Sequence, residues 1–210
     1  MKYLGKPAGM WALFAGSFEK HLTVEFDLTA GQAKDVAARA KKKYREIIAK
    51  LPEFDKRDRF EMNIVNCAML AAFILCMPQR PNINTLTDYY AAAMMTPTRK
   101  AFCRASGKKK FTPKDIEGMK ATAKLRAGDR NPYSWNMDFF EYEDGSGYEA
   151  RFTTCGICTL MQVLGLYDLT PALCHLDYTM SDAGGASDFV REYTLASGGP
   201  YCDCRYHKRQ

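Results

Sequence analysis

Five of the eight cysteines in this 210-residue chain fall between Cys155 and Cys204. They occur as Cys155-Gly156-Ile157-Cys158, Cys174-His175-Leu176-Asp177 and Cys202-Asp203-Cys204, while Cys67, Cys76 and Cys103 are scattered through apolar or mixed stretches. Thiols clustered with a histidine and two aspartates suit two chemistries. One is a metal centre. Cys155 and Cys158 have ligand spacing, and Cys174 with Cys202 would complete a tetrahedral set, for which zinc is the natural ion. Against it, Cys202-x-Cys204 is not the second pair of a zinc knuckle. The other chemistry is covalent or acid–base. Cys174 and Asp177 lie three apart, so on a helix they share a face, whereas His175 points elsewhere. A reactive thiolate needs a nearby cation or helix N-terminus; Arg151 and Arg191 are the candidates. Ser197-Gly198-Gly199-Pro200 is a turn whose backbone N–H groups can also face an anion. Each residue has a plainer reading too. A cysteine can be a small buried hydrophobe, Asp177 a local turn acceptor, and His175 and His207 surface residues.

These residues must be positioned by the surrounding elements. The stretch 1–130 reads as helices. The first is expected over Ala8 to Leu22 and the second from a Thr29 cap to about Leu51. The third runs over Lys56 to Cys76, apolar nearly all round from Met62. A fourth begins at Asn84 or Thr85, breaks at Pro97 and resumes to Ser106. The fifth follows Thr112-Pro113, a cap with proline at the first helical position. The character changes at Asn131-Pro132. Trp135 to Tyr142 and Tyr148 to Thr154 read as antiparallel strands around the turn Asp144-Gly145-Ser146-Gly147. Short helices are expected over Cys158 to Leu166 and after Thr170-Pro171. Further strands are expected over Phe189 to Leu195 and Tyr201 to Tyr206. The fold class is therefore α+β, a helical N-terminal half packed on a C-terminal antiparallel sheet with short helices. The stretch 131–210 carries the site, and both halves form one integrated domain.

Composition narrows the partners. Met1 to Pro7 leads into no apolar signal run, and Met62 to Met77 is too short for a span and carries Asn63 and Asn66. The expectation is a cytoplasmic protein with no membrane partner, in a reducing compartment where the cysteines form no disulfide framework. The net charge is +6, with local sources at Lys41 to Lys43 and Lys108 to Lys110. Both runs read as solvated surface, and no nucleic-acid module accompanies them. The charge favours a small anionic substrate. No cofactor is expected apart from the zinc alternative, and a homo-oligomer is compatible with the chain.

Several short motifs stand in fixed order: Cys155, then Leu173-Cys174-His175-Leu176-Asp177, then Thr194-Leu195-Ala196-Ser197-Gly198-Gly199, then Cys202-Asp203-Cys204-Arg205-Tyr206. This pattern resembles the L-2-amino-thiazoline-4-carboxylic acid hydrolase family. Cys155, Cys174, Asp177, Thr194, Gly198, Cys202 and Asp203 match family positions, while Cys204 stands where phenylalanine is usual. The resemblance implies a hydrolase that opens a small cyclic isothiourea carboxylate to a carbamoyl-cysteine, cutting a non-peptide C–N bond. By it, Cys174, Asp177, Cys155 and Asp203 are the catalytic candidates. Asp177, then Asp203, would hold the amidine and activate water. Cys174 would attack or shape the pocket. Arg191 or Arg151 would bind the substrate carboxylate, with Thr194 and the Gly198 backbone beside the tetrahedral centre. The alternative is a non-catalytic small-molecule- or zinc-binding module.

Overall fold

The computed structural model describes residues 1–128 and 130–209. Its helical half holds α1 (Lys6–Glu25), α2 (Ala30–Lys50), α3 (Glu61–Ile74), α4 (Ile83–Met94), α5 (Pro97–Gly107) and α6 (Pro113–Arg126). Side-chain caps set the starts. Thr29 and Gln32 form a reciprocal capping box at α2, and Asn82, Thr96 and Thr112 each accept the N–H three residues on. The expected central helix is α3, buried without a break from Ile64 to Ile74. It starts at Glu61 rather than Lys56. Asp55 and Asp58 bond the N–H groups of Arg57 and Phe60, and these local turns compete with helix.

The second half holds β1 (Met137–Glu141), β2 (Gly147–Phe152), α7 (Gly156–Val163), α8 (Thr170–Gly184), β3 (Ser187–Val190) and β4 (Cys202–Lys208). The strands form one antiparallel sheet in the order β1-β2-β4-β3. Side chains alternate across it. Tyr148, Ala150 and Phe152 pair with Tyr206, Cys204 and Cys202 on one face, where Phe189 lies beside Tyr206. Glu149 and Arg151 pair with Arg205 and Asp203 on the other. The first face meets the helices. Ala150, Cys202 and Cys204 share one continuous core with Phe73, Met69 and Leu176.

Two boundaries differ from the expected ones in ways that matter for the site. The helix α7 begins at Gly156, which makes Cys155 its N-cap. The strand β3 ends at Val190, so Arg191 lies beyond it. The reason is Asp203, whose carboxylate accepts the N–H groups of Glu192 and Tyr193 and draws the chain out of the sheet. Thr194 then caps a 3-10 turn at Leu195–Ser197, closed by Gly198 with φ 81°. Among the described residues no helix is long and apolar enough to cross a membrane.

The end of α5 packs on the end of α8 through glycine. A Cβ on Gly107 would stand 2.2 Å from the carbonyl oxygen of Gly184. Gly107→Ala is therefore expected to destabilise the fold by about 1–3 kcal/mol, the usual cost of overpacking. Urea unfolding would show this as a lower midpoint at unchanged slope.

Candidate active site

Helix α8 presents Cys174, Asp177 and Tyr178 towards the segment that follows β3. There Arg191 crosses back to the helix. Its Nη1 donates to Asp177 Oδ2 at 2.9 Å and its Nη2 to the Cys174 carbonyl at 2.7 Å. The guanidinium lies against the rings of Phe189 and Tyr178, 5.2 and 5.4 Å from their centroids. Tyr178 in turn donates its hydroxyl to the Arg191 carbonyl. The two partners are unequally placed. The Arg191 side chain is 6% exposed and that of Asp177 43% exposed. Arg191 is thus the fixed, buried member, and the Asp177 side chain is partly open to solvent. Burial raises the Asp177 pKa above the ordinary carboxylate value, with Arg191 and Lys110 opposing the rise. For Arg191 burial opposes the charge, but Asp177 and the nearby thiols outweigh it and its pKa is raised.

Thiols line the surroundings. Cys202 and Cys204 come from the inner face of β4, Cys155 and Cys158 from the start of α7, and Cys67 from α3. Cys174 senses the charge of Cys155 and Cys202, and Cys67 that of Cys155 and Cys174. Burial pushes the Cys174 thiol up to about 12, although Arg191 pulls it down. Burial likewise raises Cys204 and Cys202, the latter despite a 3.2 Å bond from the Leu195 N–H to its sulfur. Cys155 is raised first by its hydrogen bond with Cys158, then by burial. These are protonated thiols at neutral pH, not nucleophiles held ready. Alkylation of native protein by iodoacetamide at Cys174 is accordingly expected to be slow at pH 7. It should accelerate steadily as pH rises, and peptide mass mapping reads it directly.

The other candidates lie apart. Asp203 sits on the opposite sheet face, bonded to Arg205 as well as to Glu192 and Tyr193, and these bonds outweigh the burial that opposes its charge. Arg151 is on that face too, bonded to Glu149 and stacked between Phe140 and Tyr201. Thr194 and Gly198 shape the 3-10 turn. His175 is exposed beside the Tyr178 ring. Among the described residues no group of three or more histidine, cysteine or acidic side chains is arranged to hold a metal ion; the quartet Cys155, Cys158, Cys174 and Cys202 is no exception. Two open surface depressions, one at the β1–β2 turn and one beside Lys50 and Tyr133, include neither a cysteine nor Asp177.

One residue of the site was read as surface from the sequence. Lys108 and Lys109 are exposed, but Lys110 turns inward. Its Nζ stands 3.5 Å from the Tyr206 ring centroid, with Tyr148 and Phe111 at 5.1 and 5.5 Å. Burial lowers its pKa to about 8, against the pull of Asp115, Cys204 and Asp177. The turn that aims it is strained. Phe111 has φ 63°, a left-handed conformation that costs a bulky residue about 1–2 kcal/mol. A bond from its N–H to Asp115 Oδ2 holds it there. Strain of this kind collects at functional sites. At the other end, Asn66, Tyr90 and Arg99 lie behind Cys67, where Asn66 Oδ1 and Arg99 Nε are buried without a hydrogen-bond partner.

Fold and site together define an α+β protein whose last long helix and sheet enclose a carboxylate–guanidinium pair among protonated thiols. The chain belongs to the L-2-amino-thiazoline-4-carboxylic acid hydrolase family, whose model matches residues 62–206, from α3 to β4. No curated protein and no solved structure matches it.

Proposed function

We propose that the protein is a hydrolase that opens a small cyclic isothiourea bearing a carboxylate, of which L-2-amino-thiazoline-4-carboxylate is the type, with Asp177 as the general base. The observation that carries this reading is the accessible Asp177 carboxylate, anchored on Oδ2 by buried Arg191. Anchoring one oxygen leaves Oδ1 for the bound molecule. A raised pKa makes this carboxylate a stronger base than an exposed aspartate.

Water attacks the ring carbon between sulfur and nitrogen, and Asp177 takes its proton. The resulting tetrahedral carbon carries two nitrogens, the ring sulfur and the new oxygen. Collapse can expel the ring nitrogen, the C–N scission expected from the sequence, and leave an S-carbamoyl product. Expulsion of the ring sulfur instead leaves an N-carbamoyl product with a free thiol. The thiolate is the weaker base and the better leaving group, so we assign C–S scission, with Asp177 returning the proton to sulfur. Either route adds one water to the substrate. The protonated state of Cys174 argues for a wall of the pocket rather than a nucleophile. Arg191 is a positioning residue, since it is buried and holds Asp177 and the Cys174 carbonyl.

The test is direct turnover of L-2-amino-thiazoline-4-carboxylate by purified protein, followed by mass spectrometry and by a thiol reagent. A hydrated product that releases thiol supports the reading with C–S scission. A hydrated product without free thiol moves the scission to C–N. Binding without turnover would replace the hydrolase with a non-catalytic small-molecule-binding module.

A further inference from the structure

We propose that the Lys110 ammonium, held over Tyr206 on the helix-facing side of the sheet, is the specificity-determining contact for a carboxylate on the bound small molecule. This rests on the hydrolase reading only for the identity of the heterocycle.

Three observations converge. First, Lys110 is a cation with no acceptor. Among the described residues it forms no hydrogen bond or ion pair, and its neighbours are the faces of Tyr206, Tyr148 and Phe111. Aromatic faces hold an ammonium in place yet leave its donors to a ligand. Second, the loop is built to put it there. Gly107 locks the end of α5 on Gly184 of α8, and Phe111 takes a left-handed conformation fixed by Asp115. Third, packed rings join it to the site: Tyr206 lies 4.9 Å from Phe189 between centroids, and Phe189 carries the Arg191 guanidinium that holds Asp177. Asp177 and Lys110 each act on the other's ionisation, and Cys204 acts on Lys110 as well. A molecule held by Asp177 through a cationic amidine therefore finds its anionic end facing Lys110.

The other cations are committed or lie elsewhere. Arg191 is buried and already holds Asp177 and the Cys174 carbonyl. Arg151 and Arg205 are on the far face of the sheet, on Glu149, Asp203 and Glu192. Arg59 reaches Thr122 and the Met119 sulfur. The rivals are Arg99, which contacts the Met180 sulfur and acts on Tyr90, and Lys208, 5.7 Å from the Phe111 ring centroid; the cations that act on Asp177 are Arg191 and Lys110. The groups facing Lys110 are Asp115 from α6, Arg59 ahead of α3, Asp177 from α8, and Tyr148, Cys204 and Tyr206 from the sheet.

Calorimetric binding would use three probes: L-2-amino-thiazoline-4-carboxylate, thiazolidine-4-carboxylate, and 2-amino-2-thiazoline, which lacks the carboxylate. Lys110→Met should weaken both carboxylates by about tenfold or more, the value of a hydrogen bond to a charged group, and leave 2-amino-2-thiazoline unchanged. Lys110→Arg should restore carboxylate binding. Carboxylate affinity of the wild type should fall as pH rises through about 8, where Lys110 loses its proton, and that of Lys110→Arg should not. Thermal melts of both variants identify any folding defect, and Lys110→Arg serves as the folded control. Carboxylate affinity unchanged in Lys110→Met, affinity lost in Arg99→Met instead, or no binding of either carboxylate to the wild type would overturn the proposal. Turnover measured on the same samples separates the two readings. Catalysis insensitive to Lys110 removes this inference alone, while Lys110-dependent binding without turnover removes the hydrolase alone.

Discussion

Asp177→Asn is expected to lower kcat for ring opening by about 10²–10⁴-fold, the usual contribution of a general base, with the fold intact. The substitution keeps the shape and the Arg191 contact but removes the proton acceptor. The helix that carries Asp177 is fixed by other means: Leu173 and Leu176 in the core and Gly184 against Gly107. Unchanged thermal unfolding with lost turnover would therefore locate the defect in chemistry. Arg191→Met gives an independent sign. Arg191 opposes the burial that raises the Asp177 pKa, so its loss should raise that pKa further. As pH falls, activity disappears when Asp177 takes a proton. The acid limb of the rate profile should then move to higher pH in Arg191→Met, while a purely structural role would scale the whole profile without moving the limb. Full activity in Asp177→Asn would remove the residue from the mechanism.

What the sequence disclosed follows from how local each signal is. The starts of α2 and α6 were legible because their causes lie within four residues, Thr29 and Gln32 at the one and Thr112-Pro113 at the other. The pairing of Cys174 with Asp177 on one face followed from helical period alone. Strand register, and with it which sheet face meets the helices, was not legible. Cys202-Asp203-Cys204 reads as one cluster, yet alternation sends Asp203 to the far side from its two neighbours, where it anchors the Glu192–Tyr193 backbone. Arg191 lay inside the strand expected over Phe189 to Leu195, but that anchor ends the strand at Val190. Lys110 was hidden for another reason. Nothing within Lys108 to Lys110 separates the third lysine from the first two. Its direction is set by a glycine contact with α8 and by a left-handed Phe111, both tertiary facts.

Arg126→Met is expected to destabilise the protein by about 3–5 kcal/mol, the cost of leaving one member of a buried ion pair without the other. At this chain length that corresponds to a fall in Tm of roughly 6–20 °C. Arg126 Nη1 meets Asp58 Oδ2 at 3.0 Å with both side chains 1% exposed. Its Nε donates to the Trp135 carbonyl, and Ser134 Oγ donates to the same Asp58 oxygen. Three segments meet there: the turn before α3, the end of α6 and the approach to β1. Phe60 and Trp135 pack beside it with ring centroids 5.4 Å apart. The pair thus fastens the helical half to the sheet at a point remote from Asp177. Removing both charges should be milder than removing one, because a neutral pair leaves no uncompensated charge. Denaturant melts of Arg126→Met, Asp58→Asn and the double variant test this. A double variant as unstable as the sum of the singles would show that the ion pair itself contributes nothing, and that the loss comes from the bonds to Trp135 and Ser134.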